Sequence, residues 1–108
     1  MRSHIHHAAL KVADLDWYTK FFQDVFGMTY QKSSGERPAR KLWFNEGIQL
    51  IEVDAESSHT GHFDHIAIAV DDIPGIVEAS INMGCSRLPD GENWIALPNG
   101  ARLELMHL

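Results

Sequence analysis

Seven histidines and a single cysteine, Cys85, in 108 residues raise a metal question first. One cysteine excludes an internal disulfide framework and any cysteine-based zinc site. Spacing then has to separate ligands from ordinary histidines. Two histidines stand in matching contexts. His7-Ala8-Ala9-Leu10-Lys11-Val12 runs to Asp14-Leu15, and His65-Ile66-Ala67-Ile68-Ala69-Val70 runs to Asp71-Asp72-Ile73, at an offset of 58. Gly47-Ile48-Gln49-Leu50 matches Arg102-Leu103-Glu104-Leu105 at an offset of 55. If repeated positions correspond, His7, Gln49, His65 and Glu104 project from equivalent places of two copies. Neutral imidazole suits zinc, nickel, cobalt or iron(II), and a carboxylate adds a hard oxygen. The set carries one negative charge, so a divalent ion leaves the site positive. Such a site favours an anionic enediolate or oxyanion. His4, His6, His59, His62 and His107 have no such matched partner and read as surface or satisfied histidines.

These side chains need strands to carry them. Residues 4–12 and 63–70 have strand-like apolar patterns. Alternation puts His7, Ala9 and Lys11 on one face, with Ala8, Leu10 and Val12 on the other. It likewise separates His65, Ala67 and Ala69 from Ile66, Ile68 and Val70. The aliphatic faces suit packing under helices, and the alanines leave room beside the histidines. Gln49 and Ile51 share a face, as do Arg102, Glu104 and Met106. Asp14 is an N-cap for a helix from Leu15 to Phe26, with Leu15, Tyr18, Phe22 and Val25 as its buried stripe and Gly27 as its left-handed cap. Short strands follow at 28–32, 40–45 and 48–53, with Asn45-Glu46-Gly47 as a hairpin turn. The second copy reads as a helix over 73–83 and strands at 85–88, 93–97 and 101–107, with Asn99-Gly100 in the last hairpin. Phe26-Gly27-Met28 and Met83-Gly84-Cys85 are a third matched pair, at offset 57. The fold class is therefore α+β: two tandem βαβββ modules, about 4–54 and 62–107, in one domain spanning 1–108. Asp54 to Gly61 is a polar linker and Ser33 to Pro38 an exposed loop.

Composition limits the partners. Fifteen acidic against nine basic residues give a net charge of −6, which disfavours nucleic acid and anionic membrane. The longest apolar run, Ile66 to Val70, is far short of the roughly 20 residues a membrane span needs. No apolar stretch follows Met1-Arg2-Ser3-His4, so no signal peptide is expected, and the lone cysteine fits a cytoplasmic location.

Beyond this, the chain resembles the vicinal oxygen chelate superfamily, which includes glyoxalase I, methylmalonyl-CoA epimerase, extradiol dioxygenases and bleomycin-binding proteins. The resemblance lies in the two histidine strands, in Phe21-Phe22-Gln23-Asp24-Val25-Phe26-Gly27-Met28, in Gln49-Leu50-Ile51-Glu52, and in Pro98-Asn99-Gly100-Ala101-Arg102-Leu103-Glu104-Leu105. It implies a cupped mixed sheet with helices on its outer face around a divalent metal held by His7, Gln49, His65 and Glu104. It further implies a metal-dependent lyase or isomerase of the lactoylglutathione lyase type. There the metal chelates a small vicinal-oxygen substrate, such as a glutathione or other thiol adduct, and Glu104 shuttles a proton. The strand Arg40-Lys41-Leu42-Trp43-Phe44 lacks the second acid that the epimerase uses. Lys11 falls near the place of a carboxylate-gripping arginine in glyoxalase I. Lys11, Arg40, Trp43 and Arg102 are the expected substrate contacts, and a homodimer is expected. The competing readings are a non-catalytic small-molecule binding or resistance protein, and an iron(II) extradiol-type dioxygenase.

Overall fold

The computed structural model describes residues 2–57 and 60–108, so Ser58 and His59 of the expected linker lie outside the described residues. The element order is β1 (Ser3–Val12), α1 (Leu15–Phe26), β2 (Tyr30–Ser34), β3 (Lys41–Phe44), β4 (Ile48–Glu52), β5 (Phe63–Val70), α2 (Ile73–Asn82), β6 (Ser86–Arg87), β7 (Trp94–Ala96) and β8 (Arg102–His107). This is the α+β pattern of strand, helix and three strands, twice. The chain forms two compact units, one of His7–Asp64 and one of residues 2–6 with His65–Leu108, so β1 contributes to both.

In the first unit the strand order is β2-β3-β4-β1. β1 and β4 run parallel, with Ala9 opposite Gln49. β3 is antiparallel to β4, with Trp43 opposite Gln49. Asp14 caps α1 by accepting a hydrogen bond from the Trp17 N–H at 3.1 Å. Gly27, at φ 68°, ends the helix in the left-handed region, which a side chain would strain. The core beneath α1 is Val12, Leu15, Leu42, Phe44 and Leu50, joined by Leu10, Tyr18 and Phe22.

Two expectations are corrected here. Val25 is exposed, as is Phe26 beside it, so the last turn of α1 buries neither. Helical periodicity gives the direction of a side chain, not how far along the helix the core extends. β2 begins at Tyr30 rather than Met28 and takes in Ser33 and Ser34, read above as loop. The backbone N–H and hydroxyl of Thr29 both donate to the Glu46 carboxylate at 2.7 Å, and Met28 packs on the α1 core. Side-chain contacts therefore hold these residues where a ladder was expected.

The second unit repeats the arrangement as β5-β8-β7-β6. β5 and β8 run parallel with Ala67 opposite Glu104, and β7 is antiparallel to β8 with Trp94 opposite Glu104. Its own core is Val70, Val77, Ile95 and Leu105. Asp72 caps α2 by accepting from the Gly75 N–H at 3.1 Å, and Pro74 sits in the first turn, where no helical N–H is lost. Among the described residues, no helix is long and apolar enough to cross a membrane.

Arg40 anchors the end of the first unit. Its guanidinium donates to Glu52 from Nε at 3.0 Å and from a terminal nitrogen at 2.9 Å, and reaches Asp16 of α1 at 3.2 Å. These bonds favour the ionised carboxylate and hold Glu52 down at about 2, from an ordinary 4.5. Because the folded value is depressed, the stability that Glu52 contributes is complete above about pH 4.5 and is lost as pH falls toward about 2. Glu52→Gln is expected to cost about 1.5–3 kcal/mol at pH 7, the range for hydrogen bonds to charged groups. Denaturant titration should show that difference shrinking below pH 4.5.

Candidate metal and substrate site

The two units place their chemistry-bearing residues in the same register. In each, a histidine lies two residues before the alanine that faces an oxygen-donor residue on the neighbouring parallel strand. His7 precedes Ala9, which faces Gln49. His65 precedes Ala67, which faces Glu104. Residues two apart on a strand point the same way, and directly paired residues share a face. His7 therefore shares its face with Gln49, and His65 shares its face with Glu104. The alanines, both fully buried, are the small residues that let the polar groups approach. His7, Gln49 and His65 are themselves buried, at 4%, 3% and 7% exposure.

Burial of polar groups is costly unless they are satisfied. Gln49 Oε1 is buried without a hydrogen-bond partner among the described residues. An amide oxygen kept out of water and left unpaired is an acceptor awaiting an electropositive group, and a metal ion is one that fits. In the second unit His65 Nε2 lies 3.4 Å from Glu104 Oε1. Each unit thus offers one imidazole and one oxygen donor on a shared face, groups of the kind that suit zinc, nickel, cobalt or iron(II).

A tryptophan flanks each oxygen donor. Trp43 stands opposite Gln49 and Trp94 opposite Glu104. The Trp94 ring meets His65 edge-on at 4.6 Å and an interplanar angle of 69°, a favourable aromatic geometry. Sequence reading missed Trp94 as a site residue. The signal was present, since Trp43 and Trp94 occupy equivalent positions of the repeat. The Lys32 ammonium lies 4.8 Å from the Trp43 ring and the Arg102 guanidinium 5.1 Å from the Trp94 ring.

The expected substrate contacts fall in different places. Trp43 shares the face of Gln49. Arg102, two residues from Glu104 on β8, shares its face, donates to Asp90 at 2.7 Å, and has a buried Nε without a partner among the described residues. Lys11 follows His7 and Ala9 on their face of β1 and is paired with Asp64 at 3.1 Å. Arg40 is not brought to Gln49: it bonds Glu52 and Asp16, on the face covered by α1. Its long side chain follows the acids of the helix side, which no local pattern specifies.

Comparison with known proteins places the chain in a family and a fold. Residues 4–86 match the model of the "Glyoxalase/Bleomycin resistance protein/Dioxygenase superfamily". The chain is 37% identical over 121 residues to a lactoylglutathione lyase of Haemophilus influenzae, an alignment that covers 93% of this chain and 89% of the relative. Among solved structures it is similar to methylmalonyl-CoA epimerase from Mycobacterium tuberculosis, with a TM-score of 0.73 at 19% identity over 95% of this chain and 86% of that one. It is also similar to a hypothetical protein from Bacillus halodurans, with a TM-score of 0.77 at 13% identity over 100% of this chain and 96% of that one. At such identities the structural matches speak to the fold.

Proposed function

Because the chain belongs to the glyoxalase/bleomycin resistance protein/dioxygenase superfamily, we propose that it is a metal-dependent lyase or isomerase acting on a thiol adduct of a small vicinal-oxygen compound. The observation that carries the reading is the repeated register. Each unit sets one buried imidazole on the same face as one oxygen donor, with Gln49 Oε1 left unpaired. His7, Gln49, His65 and Glu104 would hold the divalent ion. Bound there, the ion supplies Lewis-acid stabilisation to two adjacent substrate oxygens.

The relative's name identifies a substrate class to test. Lactoylglutathione is a thioester of a 2-hydroxy acid. It is isomeric with the hemithioacetal of glutathione and a 2-oxoaldehyde. Interconversion moves one proton from the carbon bearing sulfur and hydroxyl to the adjacent carbon, and a second from that hydroxyl to the adjacent carbonyl oxygen. No oxidant is consumed. A single carboxylate can carry the carbon-bound proton from one carbon to the next, the hydroxyl proton passing between the two adjacent oxygens. Glu104 is the carboxylate of the set, partly exposed and next to His65. Trp94, opposite Glu104, and Arg102, beside the Trp94 ring, would bound the substrate.

The test is turnover of the hemithioacetal of methylglyoxal and glutathione after loading with nickel, zinc, cobalt or iron(II), followed by thioester absorbance. Turnover with one of these ions, absent with a chelator, is the expected result. Metal binding with oxygen uptake on a catechol would replace this reading with the dioxygenase one. Ligand binding without metal or turnover would replace it with a binding protein. Trp94→Leu, which keeps apolar bulk but removes the edge contact on His65, is expected to weaken metal affinity about tenfold. Competition with a fluorescent chelator measures this. The reading also carries a homodimer in the cytoplasm, and sedimentation equilibrium tests the dimer.

A further inference from the structure

The two units differ sharply in one place, and the repeat makes the comparison residue by residue. In the first unit the wedge between the start of α1 and the ends of β3 and β4 is nearly filled. Leu42 is buried in the core, and Arg40 spans from Glu52 to Asp16. The pocket beside this plug, lined by Leu15, Asp16, Thr19, Ser33, Arg40 and Leu42 among others, is about 160 Å³. The register that aligns Trp43 with Trp94 and Gln49 with Glu104 aligns Leu42 with Asn93, Arg40 with Gly91 and Glu52 with His107. The helix offset aligns Asp16 with Pro74. Every member of the plug is thus replaced in the second unit. Gly91 has no side chain, and a Cβ there would lie 2.9 Å from Asn93 Oδ1. Asn93 is turned to the backbone, donating to the Leu105 carbonyl at 2.9 Å. Pro74 and His107 cannot rebuild the ion network. The result is a cavity of about 800 Å³.

We propose that this cavity is a second small-molecule site, taking a compact apolar molecule with one positive charge. The volume lies within the roughly 300–1,000 Å³ of ligand pockets. Ile73, Pro74, Val77 and Leu105 supply the apolar wall. The charged lining is acidic on balance: Glu78, Glu92 and Glu104 against Arg87. If Glu104 is set aside as a metal ligand, two carboxylates still face one guanidinium. A cation therefore gains from the lining, and an anion does not. The inference stands on packing within one unit and does not depend on the metal reading.

The probe is phenethylammonium, with 2-phenylethanol and 3-phenylpropionate as neutral and anionic counterparts, titrated into the ¹⁵N-labelled full chain. Shifts for phenethylammonium concentrated at residues 73–78, 91–93 and 105–107 are expected, with weaker binding of the alcohol and weakest binding of the carboxylate. Pro74→Trp, at an exposed position in the first turn of α2, should block the cavity and abolish those shifts. Glu78→Gln with Glu92→Gln, both exposed, should weaken binding about fivefold without disturbing the core. If Pro74→Trp does not fold, the carboxamide pair carries the test. Shifts spread elsewhere, equal binding of the carboxylate, or affinity unchanged in the carboxamide pair would overturn the proposal.

Discussion

Glu104→Gln is expected to lower kcat on the glutathione hemithioacetal by about 10²–10⁴, the usual share of a general acid–base group. The substitution keeps an oxygen that can still coordinate, and Gln49 at the equivalent position shows that an amide fits this register. Metal content and KM are therefore expected to change little while turnover falls. That split separates proton transfer from ligation. Elemental analysis beside steady-state kinetics reads both. Retained turnover would remove the proton-shuttle role from Glu104, and loss of metal would show that ligation was changed instead.

Metal removal is the second large effect. A chelator is expected to abolish turnover, and return of one divalent ion per chain to restore it. His7→Ala and His65→Ala should each lose the ion, since each removes a buried donor from a set with few alternatives. The folded state should also lose stability. An ion present at 100 to 1,000 times its dissociation constant adds about 2.7–4.1 kcal/mol. A thermal melt of the native chain should therefore shift downward on chelation, and the His7→Ala melt should not respond. A native melt indifferent to chelator would sink the metal reading without touching the cavity in the second unit.

Most of the local organisation is legible in the residues. Leu15–Phe26 is helical as the Asp14 cap and Gly27 terminator imply. The turn at Asn45-Glu46-Gly47 joins β3 to β4, and Asn99-Gly100 joins β7 to β8. Side-chain faces follow as well, because strand alternation depends only on neighbours along the chain. That is why His7 and Ala9 could be set apart from Leu10 and Val12, and the burial of both faces agrees. Duplication strengthened the reading, since a pattern met twice in the same order constrains which positions correspond.

Other features depend on what the fold brings to each residue. Arg40 was as plausible a substrate contact as Arg102 on its own strand. Asp16 and Glu52 draw it to the helix side, and both are remote in sequence. Trp94 became a neighbour of His65 through the pairing of β7 with β8 and β8 with β5. Val25 lost its burial because the core under α1 stops short of the last turn. The cavity beside α2 exists because four separated substitutions relative to the first unit coincide in space. Backbone preference, helix caps and face alternation act over a few residues, so they can be read along the chain. Register between strands, the partner a long side chain finds and the space left unfilled are properties of segments distant in sequence, and packing alone decides them.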